Sequence, residues 1–447
     1  MAELYGFPRG RTEGDFEWPG AQIGISNIIT RSRSETPLRP IDDEPGAFDG
    51  LTASVREAMA GRNLFIHDVV IHGVRVRAHT DSHHLADFWR QNWYSVEEWR
   101  GITGSPGSDL PRVNAYAFVG LEARPEGAYV SWKRRAVFVV NSSCYGQLKS
   151  AVLAAVGRTL GEEQGIQMFR GGAVERNRRA VLVIGPEGSG KSTCAAGLLE
   201  LERTRLISDD GIFVRICYPR QGGEMVSPVG AANLEAKRGG SAPVEVQSLS
   251  NERFEIRMSD LDLDRPRAYA FSSEKSMYTS TGLVESFPRL AQGLLGARFE
   301  NVPDVTPELM ARESANLDRR ADASLRTLSR ETLRTLTLRM YAFAGSRAMI
   351  DPRSLYGKAR VVSNPVEPVE ISAILSLVRE PGEQEVLRSL RPEDGGELAL
   401  LQRCARAYEV NTLLQPRDVL MKLLVKTLDG LPANARIPVD SVERFLA

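Results

Sequence analysis

The stretch Arg179-Ala-Val-Leu-Val-Ile184-Gly185-Pro186-Glu187-Gly188-Ser189-Gly190-Lys191-Ser192-Thr193 decides the fold. A short apolar run enters a glycine-rich turn, and the turn satisfies G-x-x-x-x-G-K-[ST] in full. The run is too short for a helix and ends in a breaker, so it reads as a buried strand. The residues from Ser192 to Glu202 have helical spacing. Strand, glycine turn and helix form the frame of a P-loop. Gly185, Gly188 and Gly190 let the backbone curl so that several N–H groups aim at one point. The positive end of the following helix reinforces that anion nest. Lys191 would reach the β- and γ-phosphates of a nucleotide, and Ser192 Oγ would ligate Mg2+. Pro186, Glu187, Ser189 and Thr193 complete the expected nucleotide-binding segment.

Outward from the loop, the next informative element is Leu206-Ile-Ser-Asp209-Asp210-Gly211. Two adjacent carboxylates end a short apolar strand. A βαβ crossover would return this strand beside Arg179–Ile184 and parallel to it. Both strands would then end at the same sheet edge, where ligands of open α/β sheets bind. One carboxylate could hold Mg2+ and the other could take the proton of an attacking hydroxyl. The alternative is plain turn chemistry, for which Asp-Asp-Gly between two strands is well suited.

The remainder of the chain is less specific. It has 447 residues, zero formal net charge, and an ordinary 42% hydrophobic and 26% charged composition. The charge balance points away from nucleic acid and from membrane surfaces. The four cysteines, Cys144, Cys194, Cys217 and Cys404, suit neither a disulfide framework nor a zinc site. The start lacks an apolar signal-peptide core, and no apolar run reaches membrane-spanning length, so a soluble cytoplasmic protein is expected.

Residues 1–60 are rich in Pro, Gly, Ser and acidic residues and read as extended or partly disordered, with a turn of helix at Ser54–Ala60. Residues 61–165 read as a small α/β domain with a helix at Ser82–Trp93 and another at Gln147–Glu162. Residues 166–380 form the expected P-loop core. Within it Gly222–Asn251 reads as a long irregular loop, and residues 306–342 as an Arg- and Glu-rich helical face. Residues 381–447 read as mostly helix.

The closely spaced Asp pair resembles HPr kinase/phosphorylase and the phosphoenolpyruvate carboxykinases, chiefly over residues 165–218. The resemblance implies an α/β P-loop kinase core, and the residues on either side of it read as a smaller α/β N-terminal domain and a helical C-terminal part. It implies ATP with Mg2+, and transfer of the γ-phosphoryl group to a hydroxyl of a small molecule or of a serine in a protein or peptide. HPr kinases carry a His-Gly pair shortly before the loop, and this chain has Arg170-Gly171 there. In the carboxykinases that His helps hold manganese, so a carboxykinase-like lyase activity is disfavoured. Arg170 could instead neutralise a phosphate or substrate anion. Weaker similarity covers Lys275–Thr281 and Arg347–Arg353. A later arginine of these kinases contacts the transferred phosphoryl group, which makes Arg347 and Arg353 candidates. HPr kinases form hexamers, so a homo-oligomer is compatible with the resemblance. A rival class is an ATP-hydrolysing switch protein.

Other groups read as structural. His79, His83 and His84 cluster, but Asp81 or Ser82 between them suits a helix N-cap better than a metal site. Trp89, Trp93 and Trp99 read as a core stripe. Lys149 reads as a solvated lysine on a helix.

Overall fold

An eleven-residue strand, Ile166–Arg176, organises the part of the fold that carries the loop. It pairs antiparallel with Arg179–Ile184 through a two-residue turn. Asn177 and Arg178 both have positive φ, 54° and 65°, the backbone of a tight hairpin whose twist matches that of its strands. In this computed structural model the described residues are 37–446, apart from 63, 105–109, 120, 122–123, 143, 187, 230–242, 280–282, most of 285–347, 392–397, 416 and 431–433. The chain is a mixed α/β protein with two large mixed sheets, of seven and twelve strands. It divides into two compact units. One comprises Met1–Val156 and Glu274–Gly357, the other Gly157–Ser273 and Lys358–Ala447.

The second unit holds the twelve-stranded sheet. On one side of Ile166–Arg176 lie Arg179–Ile184, Val369–Val378 and Arg406–Asn411, in that order. These last three are mutually parallel. They therefore finish at one edge, the edge at which open α/β sheets bind ligands. On the other side of Ile166–Arg176 run Thr204–Ser208 and Gly211–Pro219, both antiparallel to it. The sheet core includes Leu182, Ile184, Ile207, Ile212, Val214, Ala270 and Ile374, all buried.

Three expectations are corrected here. The strand before Asp209 is not a neighbour of Arg179–Ile184. It has the same direction, but Ile166–Arg176 lies between them. Residues 381–447 are not a helical part. Strands Glu385–Leu390, Arg406–Asn411 and Arg436–Pro438 join the sheet, alternating with helices Ala399–Cys404, Arg417–Gly430 and Val442–Leu446. Burial of Val386, Leu387, Ala407, Tyr408 and Val410 drives this, with apolar area removed from water at about 25 cal/mol per Å2. The stretch 222–251 is not one irregular loop either. Met225–Pro228 and Pro243–Ser248 pair antiparallel, and Arg253–Arg257 continues the meander.

The first unit is built on the seven-stranded sheet, in the order Leu38–Pro40, Gly127–Ser131, Ala136–Val140, Arg112–Phe118, Val74–Thr80, Phe65–Ile71, Tyr94–Ser95. Within the amino-terminal segment expected to be extended, Ala47–Gly61 is a helix that buries Leu51, Val55 and Ala58. These pack with Phe118, Phe138 and Val140. The helix His83–Asn92 is capped by Ser82, whose Oγ accepts from Leu85 N at 3.3 Å. Trp89, Trp93 and Trp99 are buried, as expected of a core stripe. The helical face expected at 306–342 lies almost wholly outside the described residues.

Candidate functional site

The loop follows the strand Arg179–Ile184 without a break, and its glycines sit where side chains cannot. Gly185 has φ 147°, Gly188 77° and Gly190 100°, backbone that favours glycine. A Cβ on Gly185 would lie 2.4 Å from Leu377 O in the adjacent parallel strand. Gly190 caps the helix Lys191–Leu199, and its carbonyl accepts the first helical bond from Cys194 N at 2.8 Å. As in any α-helix, the first-turn amides of that helix point out of its amino-terminal end, the direction from which anions approach.

An anion nest needs its amides turned inward, and hence its carbonyls satisfied elsewhere. Each described loop carbonyl has a donor. Lys191 Nζ donates to Gly185 O at 2.8 Å and to Pro186 O at 2.7 Å. Arg379 Nη1 donates to Gly188 O at 3.1 Å. Thr412 Oγ1 donates to Ser189 O at 2.8 Å. Ser189 itself is buried in the floor of the turn. Lys191 thus rests on the carbonyls of its own loop. Burial pushes the Cys194 thiol up to about 12, so the cysteine on this helix is a packing residue with no thiolate chemistry at neutral pH. Glu187 and Arg347 lie outside the described residues.

Asp209 and Asp210 do not form a hairpin turn. Thr204–Ser208 pairs with residues 176–173 and Gly211–Arg215 with residues 170–166, all on one edge of the strand Ile166–Arg176. The Asp pair bridges the two stretches opposite Gly171 and Gly172, and Gly171 N donates to Asp210 O at 3.0 Å. A register irregularity at Ile207 precedes the pair, the kind of bulge that re-aims the residues after it. Ser208 Oγ and Ser273 Oγ both donate to Gly211 O, which fixes the far end. Asp209 is buried, 3% exposed, and Asp210 is half-buried.

The Gly171-Gly172 pair brings the two halves of the site together. A Cβ on Gly171 would meet Val183 O at 2.3 Å, and one on Gly172 would meet Ala195 Cβ at 3.3 Å and Asp209 O at 3.4 Å. At Gly171 that contact excludes a side chain, and at Gly172 a Cβ would fit only tightly, so the loop strand, the loop helix and the Asp pair all lie close against one strand. Ile184 and Ser208 consequently end on either side of it, about 10 Å apart at two strand spacings. Arg170 is exposed and stands in register with Gly211, directly after the Asp pair. Arg170, Lys191, Ser192, Asp209 and Asp210 therefore belong to one sheet edge of the second unit.

Arg353 belongs to the first unit. It follows the helix N-cap Asp351 and donates Nη2 to Tyr94 Oη at 2.6 Å. Lys149 is corrected: it is buried, 4% exposed in its side chain, and ion-paired at 2.8 Å with Glu274, which is 0% exposed. Its ammonium also lies 4.4 Å from the Tyr278 ring centroid. His79 stacks on Tyr116 at 5.1 Å, His83 Nδ1 lies 3.3 Å from Asp87, and no metal-holding group of His, Cys, Asp and Glu occurs among the described residues.

Sequence reasoning missed Gly172, Ser273, Arg379 and Thr412. Arg379 does carry a signal, since it directly follows the apolar run of residues 371–378. No protein-family model matches this chain, and no curated protein matches it either.

Proposed function

We propose that this chain is a phosphotransferase of the HPr kinase/carboxykinase-like class. It binds a nucleoside triphosphate, expected to be ATP, with Mg2+ at residues 185–193 and transfers the γ-phosphoryl group to a hydroxyl acceptor. The observation that carries this reading is the glycine pair at 171–172, which draws a complete phosphate loop and an Asp pair to either side of one strand. A loop that served only to bind phosphate would not require the acids.

The residues present fit a triphosphate. The glycine backbone leaves room for phosphate oxygens against the amides, and Lys191 and the helix start at residue 191 supply positive potential. Bound nucleotide with Mg2+ would supply the phosphoryl group and the charge that balances it. Ser192 Oγ and the buried Asp209 are the residues that would hold Mg2+. Asp210, the more exposed acid, takes the proton from the acceptor hydroxyl. The acceptor oxygen then bonds to phosphorus as the bond to the leaving diphosphate breaks, and Lys191 balances the charge shed onto the β-phosphate. Arg170, exposed beside Asp210, orients the anionic face of the acceptor or of the group in transfer. The acceptor is a small molecule or a serine side chain. Catalysis of this kind rests on positioning and fixed charge.

The test follows the label. Protein is incubated with γ-labelled ATP and Mg2+, with and without a metabolite pool and a heat-treated extract. Label on a metabolite or protein, absent with Lys191→Ala, supports the transferase. Label only in free phosphate would replace it with the ATPase reading.

A further inference from the structure

The loop is held open by two residues that lie far from it in sequence. Arg379 follows the parallel strand beside the loop strand, at Val378, and Thr412 follows the next parallel strand out, at Asn411. Thr412 Oγ1 donates to Ser189 O at 2.8 Å, and its N–H donates to Val378 O at 3.0 Å, so it ties the loop to both strand ends. Arg379 Nη1 reaches Gly188 O at 3.1 Å. The backbone behind Arg379 is clamped. Asn411, 2% exposed, donates Nδ2 to Glu380 O at 2.7 Å, while its Oδ1 accepts from Glu380 N at 3.3 Å and from Leu413 N at 3.1 Å. A flexible arginine on a fixed backbone thus has a defined reach.

We propose that Arg379 is a positioning residue of the phosphate site, a latch that holds the Gly188 carbonyl outward so that the loop amides stay turned toward the nucleotide phosphates. Four features meet in this one residue. It stands at the carboxyl end of a central parallel strand, where ligands bind. Its hydrogen bond goes to the loop's main chain, and that bond is charge-assisted. Its neighbour Glu380 is locked from both sides by a buried asparagine. Its guanidinium charge lies one hydrogen bond from the loop backbone, where it adds to the potential that the loop presents to an anion. Arg379 acts through the loop backbone and takes no part in proton transfer. The inference rests on the nucleotide-binding reading above.

Binding of MgATP to the full chain, followed by isothermal titration calorimetry for wild type, Arg379→Met, Arg379→Lys and Lys191→Ala, tests it. Arg379→Met should weaken binding about tenfold, the weight of one charge-assisted hydrogen bond. Arg379→Lys should recover most of the loss, because an ammonium can donate to the same carbonyl and keeps the charge. The melting temperature of both Arg379 variants should match wild type, since the side chain is exposed. Wild-type affinity in Arg379→Met, alongside lost binding in Lys191→Ala, overturns the latch and leaves the nucleotide site standing. No binding by the wild type overturns the nucleotide site and the latch with it. Equal weakening in the Met and Lys variants also overturns the latch.

Discussion

Gly185→Ala is the perturbation that presses hardest on the loop geometry. The new methyl carbon would lie 2.4 Å from Leu377 O, 2.8 Å from Ser189 Oγ and 3.3 Å from Leu377 C, at φ 147°. Leu377 O is main chain of the strand Val369–Val378, which is paired on both edges, and cannot rotate away. The loop must therefore lift by most of an ångström. Overpacking of this kind costs about 1–3 kcal/mol. A non-glycine residue in such a backbone region costs about another 1–3 kcal/mol. The free protein escapes part of this by unseating the loop, and binding must seat it again. If binding bears about 2 kcal/mol of the combined cost, affinity for MgATP falls about thirtyfold. Gly382→Ala is the control, because a Cβ there meets nothing within 4 Å and its φ is unexceptional. Equilibrium binding of a fluorescent ATP analogue, with displacement by ATP, gives the ratio. Indistinguishable affinities for Gly185→Ala and Gly382→Ala would refute the seating of the loop against the strand Val369–Val378.

Other expectations concern separate parts of the molecule. Asp210→Asn should lower transfer by about 100-fold or more, the range of a lost general base, while nucleotide still binds; a rate near wild type would return the pair to turn chemistry. Asp209→Asn should instead weaken the dependence of nucleotide binding on Mg2+, read by titrating the metal against a fixed nucleotide concentration. Lys149→Ala should destabilise the first unit by about 3–5 kcal/mol, because it strands the buried Glu274 carboxylate. The double variant Lys149→Met with Glu274→Leu should recover most of that loss in a thermal melt followed by tryptophan signal; no recovery would mean that the pair is more than a compensated burial. Asp68 is held down to about 2, first by the Arg77 hydrogen bond and also by Arg75. Its stabilising contribution is complete above an unfolded carboxyl's value of about 3.9 and is lost as pH falls from there toward about 2. Asp68→Asn should accordingly flatten the acid limb of stability below about pH 4, and an unchanged acid limb would show that the Arg77 pair contributes nothing measurable.

The loop was legible in the sequence because its requirements are local. Glycines at 185, 188 and 190 and a lysine at 191 answer the backbone and charge demands of one short segment. The Asp pair was legible as a site and illegible as geometry. The strand Ile166–Arg176 that separates it from the loop strand has Arg170-Gly171-Gly172 at its centre, and such a run reads as a breaker. Its meaning comes from Val183 O and Ala195 Cβ, which arrive from other elements. The turn at Asn177-Arg178 lacks the glycine that announces a hairpin. In the carboxyl-terminal part, Glu385–Leu390 and Arg406–Asn411 are too short and too mixed to show a period, and they become strands because the sheet buries their apolar residues. Lys149 shows the same limit in a single residue, since Glu274, which compensates its charge, is 125 positions away.

The most direct measurement of the central claim is calorimetric titration of MgATP into the purified chain and into Lys191→Ala. One Mg2+-dependent site per chain in the wild type, absent from the variant, is the result expected of a nucleotide held at residues 185–193. No binding to the wild type, or equal binding to both proteins, would contradict it.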